Sequence, residues 1–233
     1  MVESRHDMLL GPPPVRETVG AAAYRELREA ILAARIPMGA RINELELAAE
    51  WRISRTPIRD ALRRLEAEGL VQGAPGRGMI VPLLSRADLD ELYVVREALE
   101  GMAARLAAER ATPQFLAHLN TLLKTYGGAL KKDDTPQLVL IDGALREAVA
   151  QMGQNRRLEQ AVHASRLRVH QIHARSFALK GRAGRTFREM ATVVAAIRTR
   201  NPARAETSMR AHLASLRADV AAAFDDPEVP ESS

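Results

Sequence analysis

The stretch that decides the fold is SRTPIRDALRRLEAEGL, which runs from Ser54 to Leu70. Arg55, Arg59 and Arg63 recur every fourth residue, so on a helix they lie along one side. The apolar residues of the same stretch lie on the opposite side. They are Ile58, Ala61, Leu62 and Leu65. The spacing therefore predicts an amphipathic helix with a guanidinium face and an apolar face that packs into a core.

A shorter helix precedes the arginine helix. It covers roughly Glu44 to Trp51, and a tight three-residue connection, RIS, joins the two. The residues that the short helix is expected to bury are Leu45, Ala48 and Ala49. Thr56 is predicted to cap the arginine helix, and Pro57 suits its first turn. Two helices joined so tightly are typical of a helix-turn-helix, in which the second helix enters a DNA major groove.

A hairpin signal follows at once. Two β-leaning runs, Leu70–Gln72 and Met79–Val81, flank a turn rich in Gly, Pro and Arg. The turn places Arg77 and Gly78 at a tip, where bare backbone can approach a phosphate or a minor groove. Arginine pairs bidentately with guanine edges and with phosphates. A merely solvated helix would explain the arginines alone, but the short helix and this wing favour a winged DNA-binding module.

The composition narrows the class of protein further. Of 233 residues, 46% are hydrophobic and only 3% aromatic, which favours helices packed on helices. No cysteine is present, which excludes disulfides and thiolate metal sites. The net charge of +5 fits a solvated surface as well as a polyanionic partner. Neither a signal peptide nor a run of about 18 apolar residues is found, so we expect a soluble, cytoplasmic protein with no membrane partner.

The chain divides near residues 82–86, where strand signals stop. We expect a flexible lead-in over 1–15, a winged helix-turn-helix over 16–83, an all-helical unit over 84–224 and a flexible tail over 225–233. The predicted helices of the second unit are roughly 86–110, 113–131, 135–152, 154–179, 184–200 and 202–224. Three of them carry an N-cap residue followed by proline, namely Thr112, Thr135 and Asn201. Gly181 is expected to end the fourth. The predicted fold class is therefore mainly α, with one small hairpin.

The forty residues INELELAAEWRISRTPIRDALRRLEAEGLVQGAPGRGMIV (42–81) resemble the winged helix-turn-helix of GntR-family bacterial transcription regulators. The resemblance implies that Arg55 and Arg59 read bases. It further implies phosphate and groove contacts from Ser54, Thr56 and Arg63, and a wing glycine at Gly78. Trp51 and Arg52 depart from the usual Leu-Gly at the turn, which puts only the helix–helix angle in question.

The stretch DLDELYVVREALEGMAARLAAERAT (88–112) resembles the first helix of the FadR-type effector domain of that family, called FCD. Six helices suit its shorter, VanR-like branch. The resemblance implies a domain that dimerises and senses a small molecule, often a carboxylate. Many such domains hold a metal through an Asp, a His four residues later and two His on the last helices.

That ligand pattern is broken here. Asp142 lies inside the apolar stripe of the third helix of the domain, but the position four residues later is Arg146. The next ligand position is Met190, which is in register with apolar neighbours and is interpreted as core. His212 alone remains of the histidines. With two of four ligands lost, the sequence predicts no metal and no other cofactor, and instead an Asp142–Arg146 pair with His212 nearby.

Two interpretations of Arg146 stay open. Either it binds the carboxylate of an organic acid directly, or it only neutralises Asp142 and leaves a pocket for a less polar ligand or for none. Arg96 and Arg166 are further candidates for the effector pocket. The expected function is a dimeric regulator that binds a palindromic site on double-stranded DNA and responds to a small-molecule effector. The alternative is a constitutive DNA-binding dimer, and no enzyme motif is found.

Overall fold

The computed structural model describes residues 18–76, 78–167, 172, 176–177 and 179–224. The chain separates into two units, one ending at Val81 and the other beginning at Pro82. The two predicted tails, 1–15 and 225–233, lie outside the described residues, and so does Arg77. None of the helices among the described residues combines the length and apolarity needed to span a bilayer.

Three helices make up most of the first unit: α1 (Val19–Leu32), α2 (Glu44–Trp51) and α3 (Arg55–Ala67). The side chain of Thr18 caps α1, and that of Asn43 caps α2 by accepting a hydrogen bond from the Leu45 amide at 2.9 Å. Helix α1 packs against α3. The residues buried at this contact and around it are Ala23, Leu27, Ala30, Ile31, Ile58, Ala61, Leu62 and Leu65. The predicted apolar face of α3 is therefore confirmed.

A three-stranded antiparallel sheet completes the unit. Its strands are β1 (Arg41–Ile42), β2 (Gln72–Ala74) and β3 (Gly78–Ile80), in the order β1-β3-β2. Ile42 faces Met79, and Gly73 faces Met79 from the other side. The hairpin was predicted, but β1 was not. A two-residue strand is too short to show an alternating pattern. Ile42 pairs only because the folded chain places β3 beside it.

Two local predictions about this unit are wrong. Leu45 is 59% exposed and Ala49 is exposed too, because the inward side of α2 is the stripe Glu44, Leu47, Ala48 and Trp51. Those four residues follow the i, i+3, i+4, i+7 spacing of a single helical face. Thr56 does not cap α3, since the helix already begins at Arg55 and the N-cap position belongs to Ser54.

The second unit is a helical bundle whose described elements are helices. They are α4 (Arg86–Arg110), α5 (Pro113–Leu130), α6 (Thr135–Met152), α7 (Arg156–Leu167), α8 (Arg182–Arg198) and α9 (Pro202–Phe224). Ser85 and Asp88 form a capping box at the start of α4. Helix α9 packs along both α4 and α8, while α5 packs on α6 and α8. The predicted mainly-α fold class with a small sheet is confirmed.

Two of the three predicted helix N-caps are confirmed, and the third is wrong. Thr112 accepts a hydrogen bond from the Phe115 amide at 3.2 Å, and Asn201 accepts one from the Arg204 amide at 3.0 Å, so both caps are confirmed. Thr135 is instead the first residue of α6, because Asp134 takes the cap and binds the Gln137 amide at 3.1 Å. Gly181 precedes α8 in a left-handed conformation (φ 74°) rather than ending a helix. Part of the predicted helix 154–179 lies outside the described residues.

Candidate DNA-binding surface and buried polar cluster

The outer side of α3 carries the predicted arginines. The side chains of Arg55 and Arg59 are 50% and 49% exposed, and Arg63 is exposed as well. The opposite side of α3 anchors the helix, since Ile58 and Leu65 are fully buried. A helix held in this way presents its guanidinium groups in a fixed direction, which suits a surface that must meet a DNA groove.

One carboxylate organises two of these arginines. Oε2 of Glu44 lies 3.3 Å from Nη2 of Arg55 and 3.3 Å from Nη2 of Arg59, and it also accepts from Nε of Arg59 at 3.4 Å. Glu44 stands in the first turn of α2, and the tight connection between the helices brings it to α3. The sequence alone did not predict a role for Glu44, although an acidic residue in the first turn of α2 was a visible signal.

Arg64 has a different role from its neighbours. Its guanidinium lies 3.8 Å from the centre of the Tyr24 ring, and the Tyr24 hydroxyl donates to Glu68 at 2.5 Å. Burial and the hydrogen bond to Glu68 raise the pKa of Tyr24. Arg64 therefore ties α3 to α1 and is not part of the outward arginine row.

The wing and the start of α3 hold the remaining residues that are predicted to contact DNA. Gly78 begins β3 with φ 74°, a left-handed conformation that strains other residues. Ser54, Thr56 and Gly78 are all exposed, as a DNA contact requires. Arg77, the predicted wing arginine, lies outside the described residues.

In the second unit, charged groups converge inside the bundle. Asp142 and Arg146 of α6, which are 0% and 3% exposed, contact each other directly, so the predicted pair is confirmed. Arg146 also approaches Glu100 of α4 at 3.8 Å, and Glu100 accepts a hydrogen bond from Arg96 at 2.9 Å. Burial opposes ionisation of Glu100, but the guanidinium groups of Arg96 and Arg146 outweigh it and lower the pKa of this carboxyl to about 2.

A third guanidinium joins this cluster from α7. Arg166 donates to the Gly143 carbonyl at 3.1 Å and contacts Glu147 at 3.4 Å. Burial and repulsion from Arg146 lower the pKa of Arg166 to about 10. The predicted candidates Arg96, Arg146 and Arg166 thus lie in one electrostatic neighbourhood, where positive charge is concentrated.

His212 of α9 belongs to a second network. Its Nδ1 lies 2.8 Å from Glu189, which also accepts from Ser215 at 2.7 Å and contacts the fully buried Arg182. Burial opposes ionisation of Glu189, yet hydrogen bonds from His212 and Ser215 lower its pKa to about 2. Arg182 further binds Asp219 at 2.6 Å. Neither Glu189 nor Arg182 was predicted from the sequence to lie in a polar network.

Among the buried polar atoms with no hydrogen-bond partner within the described part of the chain are Oη of Tyr93, Nη1 of Arg96 and Nε2 of His212. Tyr93 and Arg96 are neighbours on α4, with the guanidinium 4.7 Å from the ring centre. Helix α9 runs antiparallel to α4, as shown by contacts of Arg105 with Glu206 (3.3 Å) and of Glu97 with Arg217 (3.7 Å). This register brings His212 to the level of Glu100, about one helical turn along α4 from Arg96.

Metal ligands are sparse in the same region. Across the described ranges, no group of three or more His, Cys, Asp or Glu side chains is arranged to hold a metal ion. Met190, which occupies a ligand position of the resembled family, is fully buried and packs in the core of the bundle.

The two units match two family models. Residues 20–81 match the model of bacterial regulatory proteins, gntR family, and residues 91–215 match the FCD domain. The chain therefore belongs to the GntR family of bacterial regulatory proteins that carry an FCD domain. It is a DNA-binding transcription regulator with an FCD effector domain.

Relatives agree with this assignment, and solved structures share the fold. An uncharacterized HTH-type transcriptional regulator of Agrobacterium vitis is 36% identical over 132 residues, which cover 55% of this chain and 77% of that protein. The Bacillus subtilis regulator YdhC is 27% identical over 191 residues, or 81% and 85% of the two chains. The structure of Escherichia coli McbR/YncC has a TM-score of 0.77 at 23% identity and covers 90% of this chain and 100% of that one. A putative GntR regulator from Rhodococcus sp. RHA1 has a TM-score of 0.74 at 20% identity, with 88% and 98% covered. At these identities the structures establish the fold.

Proposed function

We propose that this regulator is a cytoplasmic homodimer that binds a palindromic operator through α3 and the wing, and that a small carboxylate bound in its helical unit changes the affinity. We also propose that it belongs to the VanR-like branch, and the helices α4 to α9 described in the second unit support this assignment. The DNA-binding part rests on one observation above others, the exposed row of Arg55, Arg59 and Arg63 on a helix whose other face is buried.

Arg55 and Arg59 are proposed to read bases, while Ser54, Thr56, Arg63, Arg77 and Gly78 contact phosphates and the groove. The two base-reading guanidinium groups are supported by Glu44, which places them side by side. A bidentate arginine–guanine pair contributes about 1–3 kcal/mol of discrimination. Two such helices in a dimer meet half-sites about one turn of DNA apart.

The first experiment measures binding to an operator obtained by selection from random DNA. Arg55→Ala and Arg59→Ala are each expected to lose about 1–3 kcal/mol at the selected site and much less on random DNA. Arg35→Ala is a matched control, because Arg35 is an exposed guanidinium of the same unit that pairs with Glu26 at 2.9 Å. Binding should weaken steeply with salt. An equal loss on both DNAs would remove base reading from these two residues.

The effector site is proposed to centre on Tyr93 and Arg96. Arg146, which on sequence grounds could bind a carboxylate directly or only neutralise Asp142, already contacts Asp142 and Glu100. Tyr93 Oη and Arg96 Nη1 are buried donors without partners among the described residues, and each such group costs about 1–3 kcal/mol. The two oxygens of a carboxylate accept from both donors, with Arg166 adding positive charge and Asp142, Met190 and His212 lining the remainder.

A competing function is a constitutive DNA-binding dimer whose helical unit binds no effector. The direct Asp142–Arg146 contact favours it, because that ion pair occupies two positions that would otherwise receive a ligand. Thermal unfolding with a panel of carboxylates from acetate to citrate separates the two. A rise in Tm with one acid, lost in Arg96→Met, supports the effector site. No response of the unmodified protein to any acid supports the constitutive dimer.

A further inference from the structure

A residue in the left-handed conformation begins the turn between α2 and α3. Arg52, which follows α2 directly, has φ 54° and ψ 42°, and its backbone N–H donates to the Ala48 carbonyl. The amide of Ile53 bonds to the same carbonyl at 3.2 Å. These bonds hold the backbone of the turn in a conformation that favours glycine or asparagine over arginine.

The side chain of Arg52 has no polar contact that would account for its presence in this turn. It is exposed and forms no hydrogen bond or ion pair with another described residue. Arg200 is the contrasting case, because it is also left-handed (φ 49°) but its guanidinium donates to the Ala111 carbonyl at 2.7 Å. A strained residue whose charged group has no polar partner within the described fold points to a partner outside it.

The position of Arg52 indicates the nature of that partner. Two residues span at most about 7 Å of chain, so the Cα atom of Arg52 lies within that distance of the Cα atom of Ser54. Ser54 stands at the N-cap of α3, but its side chain makes no capping hydrogen bond. Its hydroxyl therefore remains available for a contact with DNA. Arg52 extends the same exposed edge of the module by a positive charge.

We propose that Arg52 binds a DNA backbone phosphate beside the one that Ser54 contacts, so that the turn becomes part of the DNA-binding surface. This inference rests on the proposed binding of DNA through α3. A guanidinium matches the two free oxygens of a phosphate with paired N–H donors. A phosphate contact carries no sequence information, so Arg52 adds affinity for any duplex and fixes the register in which Arg55 and Arg59 meet base edges.

A purely structural role for Arg52 would have a different signature. A cation at the C-terminus of a helix interacts favourably with the helix dipole, and the last turn of α2 contains no basic residue of its own. If Arg52 acts only in this way, neutralising it lowers the Tm and leaves the salt dependence of DNA binding unchanged. The two roles therefore predict different results for the same variant.

Fluorescence anisotropy at several salt concentrations, with the selected operator and with random DNA, tests the phosphate contact. Arg52→Gln removes the charge and is expected to weaken binding about three- to tenfold on both DNAs. The slope of log affinity against log salt should become shallower by about 1.8, which is 0.9 for each of two phosphates in a dimer. Arg52→Lys keeps the charge and should keep the slope. Arg35→Gln, at a side chain that is 57% exposed in the same unit, is the control for net charge.

Arg52→Gly separates affinity from stability. Glycine adopts a positive φ without strain, so the Tm should rise by about 2–4 °C while DNA binding weakens as in Arg52→Gln. Ala34→Gly is the matched control, because Ala34 has φ 55° in the same unit and carries no charge. It should raise the Tm in the same way and leave DNA binding unchanged.

The outcomes distinguish this contact from the proposed function. If the unmodified protein binds DNA and Arg52→Gln keeps its salt slope, the phosphate contact is overturned and operator binding stands. A loss confined to the operator also overturns it, because a phosphate contact acts on every sequence. An equal change of slope in Arg35→Gln would assign the effect to net charge and overturn it too. An unmodified protein that binds neither DNA overturns both the contact and the proposed function.

Discussion

Replacing Tyr93 by phenylalanine is expected to stabilise the effector-free protein, which is unusual for a change at a fully buried tyrosine. The Tyr93 hydroxyl makes no hydrogen bond of normal geometry with a described residue, and burial raises its pKa against the opposing effect of the neighbouring Arg96 guanidinium. A buried hydroxyl left without a partner costs about 1–3 kcal/mol, and phenylalanine removes the hydroxyl while keeping the ring beneath Arg96. We expect a gain of about 1 kcal/mol in the free energy of unfolding, or about 2–4 °C in Tm.

Tyr126 offers a matched control, because its substitution by phenylalanine should lower the free energy of unfolding. It is also fully buried, but its hydroxyl donates to the Ala183 carbonyl at 3.1 Å, and its ring stacks on Phe187 at 5.6 Å between centres. Tyr126→Phe removes that hydrogen bond and keeps the stacking. It should therefore lose about 0.5–1.5 kcal/mol.

Urea unfolding of both variants shows whether each substitution raises or lowers the free energy of unfolding. The comparison holds provided that the dependence of this free energy on urea concentration stays constant. If the carboxylate panel yields an effector, its stabilisation should disappear in Tyr93→Phe and persist in Tyr126→Phe. A loss of stability in Tyr93→Phe as large as that in Tyr126→Phe would refute the reasoning. It would mean that the Tyr93 hydroxyl already has a partner in the free protein and is not available to an effector.

Two further predictions concern acidic side chains. Glu44→Gln removes the carboxylate that holds Arg55 and Arg59. In fluorescence anisotropy, the affinity for random DNA should therefore rise about two- to tenfold, and the ratio of operator affinity to random-DNA affinity should fall. Glu50→Gln changes an exposed acid on the same helix, and an equal fall in the ratio there would argue against a positioning role. Acid should destabilise the helical unit, because Glu100 and Glu189 have folded pKa values of about 2 and unfolded values near 4.3. Each ionised carboxylate stabilises the folded state above about pH 4.5, and this stabilisation is lost as the pH falls towards 2. For Glu100 it amounts to about 3 kcal/mol at most. Glu100→Gln should show a shallower loss over that range in circular dichroism, and an unchanged pH profile would count against the depressed pKa.

The sequence could predict whatever depends on neighbours along the chain. The arginine row of α3 and its buried face follow from helical spacing, and so does the contact between Asp142 and Arg146, because residues four apart meet on any helix. The caps at Thr112 and Asn201 are equally local. The mistakes at Leu45 and Thr135 are also local, since each segment offered two plausible registers and the packing of α2 or the side chain of Asp134 selected one.

Only the tertiary structure decided which elements distant in sequence contact each other. Glu44 reaches Arg55 and Arg59 because α2 turns back on α3, and strand β1 exists only as an edge partner of β3. The convergence of Arg96, Glu100 and Arg146, and the link from His212 to Glu189 and Arg182, depend on which faces of four helices meet in the bundle. Periodicity identifies the inward face of a helix, but it leaves open which partner that face meets. That choice is made by the packing of the whole bundle.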